Sequence, residues 1–333
     1  MIRFALIVAS VLGFALTAAL GNLMIPLLRE LERPAQRQPD EKPAPEQQPV
    51  PVLGGLCLMV GTLAAVGVGW VAACAAQPSL LGGEGKMMSR LLIALAGALA
   101  FGGIGLADDL ARIRSRSPLG LRRGPRLALE AAVSAAVVGL LARNGCLTPG
   151  LILPGKGYVS FAAAPLLWGV LLVALAECGR IADGADGTVC GAAFTAMLGL
   201  MLLETKLGWF PLAVLPSALA GALMAFLLWN FPPAKLRPGK CGCLFLAGAV
   251  GCIPLSIGCG ELSVPLALPF WAEGGMVALQ ILFYRAAGRP LFRTAPLHRW
   301  LEKRGLSAEN IFYSLCVLSV CGLALTMGLA RWA

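Results

Sequence analysis

Ten apolar runs, each of about the length that crosses a bilayer, leave this chain almost nowhere to fold except inside a membrane. A hydrocarbon core takes about 20 apolar residues per helix. The runs fall near residues 4–28, 52–74, 89–107, 127–142, 162–178, 188–204, 212–229, 243–259, 264–284 and 311–331. Of the 333 residues, 58% are hydrophobic and only 13% are charged, against about 25% charged in a soluble protein. The expected fold is an all-α integral membrane bundle of about ten transmembrane helices, forming one domain over residues 1–333. No soluble domain of ordinary size fits between the runs. Abundant Gly and Ala suit close helix packing in lipid. The first run follows Met1-Ile2-Arg3, as a signal peptide would, but it continues to Leu28 and is read as a helix. Pro265, Pro269 and Gly274-Gly275 predict that the ninth span is bent or broken.

Basic residues set the orientation. Twenty of the 27 Lys and Arg fall in one set of connections, from Arg29 to Arg304, and seven in the other. Cytoplasmic loops carry the excess, so the rich side is cytoplasmic and both termini face outward. Five polar stretches share that side: Gln48 to Gly55, Ala107 to Leu110, Ile181 to Gly187, Pro233 to Gly242, and Ala295 to Glu302. Neighbouring stretches are two crossings apart, which lets them converge on one site. Topology alone explains the arginines. It does not explain acidic pairs beside them at membrane ends.

Asp108 and Asp109 end the third run, immediately before an arginine-rich loop. Adjacent carboxylates repel, so a pair at a membrane boundary needs a cation or a proton. Magnesium suits such a pair, taking a few carboxylates plus substrate phosphate oxygens. The plainer alternative is a solvated helix end paired with Arg112. Asp183 and Asp186 lie in a turn where Gly184 and Gly187 allow tight backbone geometry. Gly54-Gly55 reads equally as a closely packed helix start. His298 sits among Arg293, Arg299, Lys303 and Arg304, a setting that favours phosphate contact. Glu130, Glu177 and Glu273 are intramembrane acids, hence functional candidates or partners of a neighbouring helix. The eleven cysteines fall mostly in apolar runs and read as small packing residues. One histidine in the chain excludes a histidine-rich metal site.

Taken in order, these stretches resemble the polyprenyl-phosphate hexose-1-phosphate transferases, in particular the phospho-N-acetylmuramoyl-pentapeptide transferase branch. The most specific piece runs from Gly288 to His298 and on to Leu301-Glu302, similar to a family loop with three consecutive histidines. Glu273 and Gln280 match a Glu and a Gln of the family's ninth helix. The resemblance implies transfer of a phospho-sugar from a UDP-sugar to undecaprenyl phosphate, with release of UMP, in peptidoglycan precursor synthesis. It implies that Asp108 and Asp109 are the catalytic pair and hold Mg2+. Asp186 and Gly184 would contact the uridine, Asp183 would line the nucleotide-sugar pocket, and His298 would match the first histidine. Expected partners are undecaprenyl phosphate, a UDP-linked sugar or muramoyl peptide, the lipid bilayer and a second copy in a homodimer, but not nucleic acid. The expected location is the bacterial inner membrane, with the site facing the cytoplasm.

The polar positions depart from the family repeatedly. Its Gly-Asp-x-Gly-Ser motif reads Gly239-Lys240-Cys241-Gly242-Cys243, so a metal-binding Asp has become Lys240. An aromatic residue has become Arg237, and an Asn three residues before Asp183 has become Arg180, which is expected to add a cation next to the acidic turn. The second and third histidines are Arg299 and Trp300, and Gln47 and Gln48 stand where a lysine is expected. One ammonium supplies the net charge of an Asp with magnesium, so Lys240 is expected to hold phosphate or neutralise Asp108 and Asp109. It lacks the metal's Lewis acidity. Two functions follow: a phospho-sugar transferase in which the lost metal ligand implies weak or absent magnesium-dependent transfer, or a non-catalytic relative that binds prenyl phosphate or a nucleotide sugar or scaffolds an envelope complex. A solute transporter is the third class, supported only by the bent ninth span. The orientation is checked by Ser115→Cys in a cysteine-free background, which should label from the cytoplasmic side. Labelling confined to the outside would reverse the topology.

Overall fold

In lipid every backbone N–H and C=O must be satisfied within the chain, so apolar runs close on themselves as helices. The structure, a computed structural model, describes residues 2–31, 50–82, 86–115, 120–153 and 157–331. Arg33, Arg37, Lys42, Gln47, Gln48, Arg116 and Lys156 lie outside the described residues. The helices are α1 (Ile2–Leu31), α2 (Gly55–Ala76), α3 (Met87–Ser115), α4 (Arg123–Arg143), α5 (Ala164–Ile181), α6 (Thr188–Lys206), α7 (Val214–Asn230), α8 (Gly239–Ser256), α9 (Ser263–Leu266), α10 (Leu268–Ala287), α11 (Leu297–Lys303) and α12 (Ala308–Leu329). Among the described residues, nine helices are long and apolar enough to span a membrane, and a bent pair makes a tenth span. The chain is an all-α integral membrane bundle. Among the described residues it departs from this only in a small antiparallel hairpin, β1 (Gly150–Leu153) with β2 (Gly157–Ser160), between α4 and α5.

The expected bend in the ninth span is present. A 79° turn separates Gly260–Leu266 from Leu268–Ala287. Pro265 and Pro269 flank the break at Ala267, and neither can donate a backbone N–H. Gly274 and Gly275 take no part in it, since both lie inside α10. Gly274 instead lets α10 approach Cys178 of α5.

Two helix ends differ from expectation. α3 does not end at Asp108-Asp109 but continues about two turns to Ser115. α8 begins at Gly239, so Lys240 stands in its first turn rather than in a loop. Hydropathy ends where charge begins, but Ala111, Arg112 and Arg114 are good helix formers and the backbone continues through them.

α8 is the axis of the bundle. Every residue from Cys241 to Ser256 is buried, and the helix packs against α2, α3, α5 and α6. Small residues permit this, because lipid supplies no hydrophobic drive between helices and association depends on close contact. α1 lies against α7 and α2. At that crossing a Cβ on Gly221 would collide with the Ser10 carbonyl, and one on Gly13 with the Ala218 carbonyl. Gly221→Ala should therefore lower the thermal midpoint in detergent, since overpacking costs about 1–3 kcal/mol. Gly103→Ala, with nothing within 4 Å of the added atom, should leave the midpoint unchanged or higher. Equal behaviour of the two variants would remove close approach as the basis of the α1–α7 crossing.

Candidate functional site

Asp108 and Asp109 are both buried, at 3% and 1% exposure. The first turn of α8 meets them because Gly105, one turn earlier on α3, has no Cβ to strike the Lys240 carbonyl. The Cys241 N–H then donates to Asp109 Oδ2 at 2.9 Å. An exposed N–H at a helix start favours an anion. Arg112 Nη2 lies 3.5 Å from Asp109 Oδ1, the pairing that i,i+3 spacing allows. The pair is therefore partnered with Arg112, as the plainer alternative held, but it is not solvated. Lys240 Nζ stands 3.9 Å from Asp108 Oδ2, and the Leu121 N–H donates to Asp108 Oδ1 at 2.5 Å.

These residues do not fit magnesium. A divalent cation of that size wants about six oxygens in near-octahedral order. Here Asp108 faces an ammonium, and Asp109 faces a backbone N–H and a guanidinium. Among the described residues no group of three or more His, Cys, Asp or Glu side chains could hold a metal ion.

Asp183 and Asp186 lie between α5 and α6, where Gly187 turns the chain at φ 75°. Asp186 accepts from the Ala234 N–H at 3.0 Å and from Arg237 Nε and Nη2 at 3.1 and 2.7 Å. It thus anchors the segment before α8. Asn230 Nδ2 adds a bond to the Leu236 carbonyl at 2.9 Å. The pocket bounded by Asp183, Gly184, Asp186, Asn230, Arg237 and Pro238 has about 10 Å³ of free space. That is room for about one water, where a small-molecule site usually offers roughly 300–1,000 Å³. Arg237 closes it. Gly54 and Gly55 take the structural role: their N–H groups donate to the Arg237 and Pro238 carbonyls, both at 3.0 Å.

Asp183 is half-buried beside the Cys243 thiol. Burial pushes its carboxyl above the usual range, against the opposing pull of Lys240 and Arg237. Beside it, Gly184 faces the His298 imidazole, which any Cβ there would strike. His298 is not in a basic loop. It is buried on α11, where Nδ1 lies 2.9 Å from Glu273 Oε2 and its N–H donates to Glu273 Oε1 at 3.2 Å. The expected cations are turned away and its charged partner is a carboxylate.

Arg180 is also corrected. It pairs with Glu177 at 2.8 Å rather than with the Asp183 turn. Arg126 of α4 joins Glu177 at 3.1 Å and approaches Glu130 at 3.6 Å. The intramembrane acids Glu130, Glu177 and Glu273 are thus partners of neighbouring groups.

The predicted residues gather at one end of the bundle without lining one cavity. Asp108, Asp109, Asp183 and Lys240 share an electrostatic neighbourhood. Asp183, Gly184 and Asp186 line the small pocket, and His298 touches it through Gly184. Sequence reasoning missed the clamp of Arg237 on Asp186 and the structural part of Asn230. No local spacing signals either, since Asp186 and Arg237 are separated by a hairpin of two spans.

Residues 91–258 match the model of glycosyl transferase family 4. The chain is similar to the phospho-N-acetylmuramoyl-pentapeptide-transferase of Desulforudis audaxviator, with 30% identity over 97% of this chain and 98% of the relative. The Mycobacterium tuberculosis H37Ra protein of the same description is 31% identical over 85% of each chain. That of Clostridium kluyveri is 26% identical over 95% of this chain and 96% of the relative.

Raised in the fold, the Asp183 pKa makes its contribution to stability greatest below the unfolded value, with loss as pH rises through the folded one. Asp183→Asn should flatten the fall of the thermal midpoint in detergent as pH rises above the ordinary carboxylate range, about pH 4. An unchanged slope would show that another group carries it.

Proposed function

Because the chain belongs to glycosyl transferase family 4, in the phospho-N-acetylmuramoyl-pentapeptide-transferase branch, we propose that it transfers a phospho-sugar from a UDP-sugar to undecaprenyl phosphate. In that reaction a phosphate oxygen of the prenyl chain attacks the sugar-side phosphorus of the diphosphate. The bond to the other phosphate breaks, UMP leaves, and a lipid-linked diphosphate sugar remains. The step takes place at the cytoplasmic face of the bacterial inner membrane, in the supply of peptidoglycan precursors. The observation that supports it is the alternation of Asp108, Asp109 and Asp183 with Lys240 and Arg112 at one end of an apolar bundle. Cations at that place can take the charge of a diphosphate while the prenyl tail stays in lipid.

Magnesium, which the family uses to bridge diphosphate and carboxylates, finds no suitable ligand set among the described residues. Lys240 takes the electrostatic part of its role. As phosphate approaches, the ammonium exchanges Asp108 for a phosphate oxygen, and Arg112 remains beside Asp109. Asp183 and His298 then border the space the sugar nucleotide has to enter.

A second reading has its own support. Arg237 lies across Asp186 and leaves its pocket almost no volume, which favours a binding protein that holds prenyl phosphate or nucleotide sugar without turnover. Radiolabel transfer from UDP-N-acetylmuramoyl-pentapeptide to undecaprenyl phosphate in detergent separates the two. The transferase reading expects labelled lipid product that persists in a chelator. Binding without product would establish the second reading. Lys240→Asp should raise magnesium affinity at least tenfold by calorimetry in nanodiscs. Tight stoichiometric magnesium binding by the unaltered chain, lost in Lys240→Asp, would overturn the part given to Lys240.

A further inference from the structure

On the side of α11 turned from His298 lies a second, larger cavity of about 490 Å³. An α-helix turns about 100° per residue, which places Trp300, Lys303 and Arg304 roughly opposite His298. These three and Arg293 line the cavity, and no carboxylate does. Glu302 falls on the His298 side. The cavity is therefore separate from the site of the acidic residues, although one short helix serves both.

Its walls are ordered. The Phe292 N–H donates to Gln280 Oε1 at 2.7 Å, and Gln280 Nε2 donates to the Phe292 carbonyl at 3.0 Å. That double bond to α10 fixes the chain from Leu291 to Thr294, which forms the facing wall. Arg304 stacks over the Trp300 ring, its guanidinium carbon 4.3 Å from the centroid. Stacking holds the guanidinium plane while leaving its edge N–H groups free to donate. Leu291, on the cavity wall, is 45% exposed, and α10, to which that wall is bonded, exposes Leu282 and Tyr284 at 63% and 58%.

We propose that this cavity binds a phosphate group at the membrane surface, the headgroup of an anionic phospholipid. Three cations with no acid among them match a phosphate diester. The volume suits a glycerophosphate headgroup and exceeds what inorganic phosphate fills. Leu291 and Phe292 offer apolar contact where the acyl chains would begin. Aromatic and basic side chains at a cytoplasmic interface are a recurrent setting for anionic lipid. The position on α11 means that a bound headgroup braces the helix that carries His298.

The test is the thermal midpoint of the full chain in detergent, titrated with short-chain phosphatidylglycerol, short-chain phosphatidylcholine or inorganic phosphate. Phosphatidylglycerol should raise the midpoint saturably and phosphatidylcholine should not. R293A/K303A should weaken the apparent affinity at least tenfold while keeping the unliganded midpoint, since both side chains are exposed. R285A/R289A removes equal charge from the same end of α10, outside the cavity, and should change the affinity less than twofold. A saturable response to inorganic phosphate lost in R293A/K303A would support the phosphate site with a soluble source. An unsaturable response, or equal loss in both double variants, would overturn the proposal in favour of diffuse surface charge. Should R293A/K303A fold poorly, R293Q/K303Q serves the same comparison.

Discussion

α8 has no outward face, and the arrangement of the other helices follows from that. A helix buried along its length in a membrane bundle must be narrow, because its neighbours hold it by contact and not by expulsion of water. Gly242, Gly248, Gly251 and several Ala and Cys residues make it narrow. The same closeness brings the α8 N-terminus onto Asp108 and Asp109, with Gly105 as the point of approach. The packing of the core and the electrostatics of the site are one feature.

Carboxylates taken out of water need partners, and at this end of the bundle the chain supplies several of them from its own cations. Lys240 serves Asp108, Arg112 serves Asp109, Arg237 serves Asp186, and Arg180 and Arg126 serve Glu177. A ligand phosphate entering here competes with carboxylates for cations already engaged. Binding is then an exchange of partners, not the filling of an open cradle. Lys240 is the member most disposed to such exchange, since its ammonium lies at 3.9 Å and is partly exposed. Arg237 holds Asp186 by two nitrogens and resists it.

His298 and Glu273 form a different kind of pair. Both are buried, and the carboxylate also receives the His298 backbone N–H. That fixes α11 to α10 and sets the imidazole against Gly184. The far face of α11 is free to present Trp300, Lys303 and Arg304 to the second cavity. One short helix thereby serves both the acidic site and the second cavity.

The apolar runs, the excess of basic residues in alternate connections and the two prolines of the ninth span were all legible in the amino-acid sequence. Each reports a local property: transfer of a segment to lipid, charge in a loop, or a missing N–H. They determined the ten-span bundle, the bend at Ala267 and the gathering of polar stretches at one end. The extension of α3 past Asp109 and the start of α8 at Gly239 were not legible, because hydropathy records where lipid ends and not where backbone hydrogen bonding ends. Nor was the choice of partners. Arg180 was expected beside Asp183 and lies on Glu177, while Arg237 lies on Asp186. Ion pairing depends on distances of a few ångströms between residues on different helices, and only the packed bundle decides those distances.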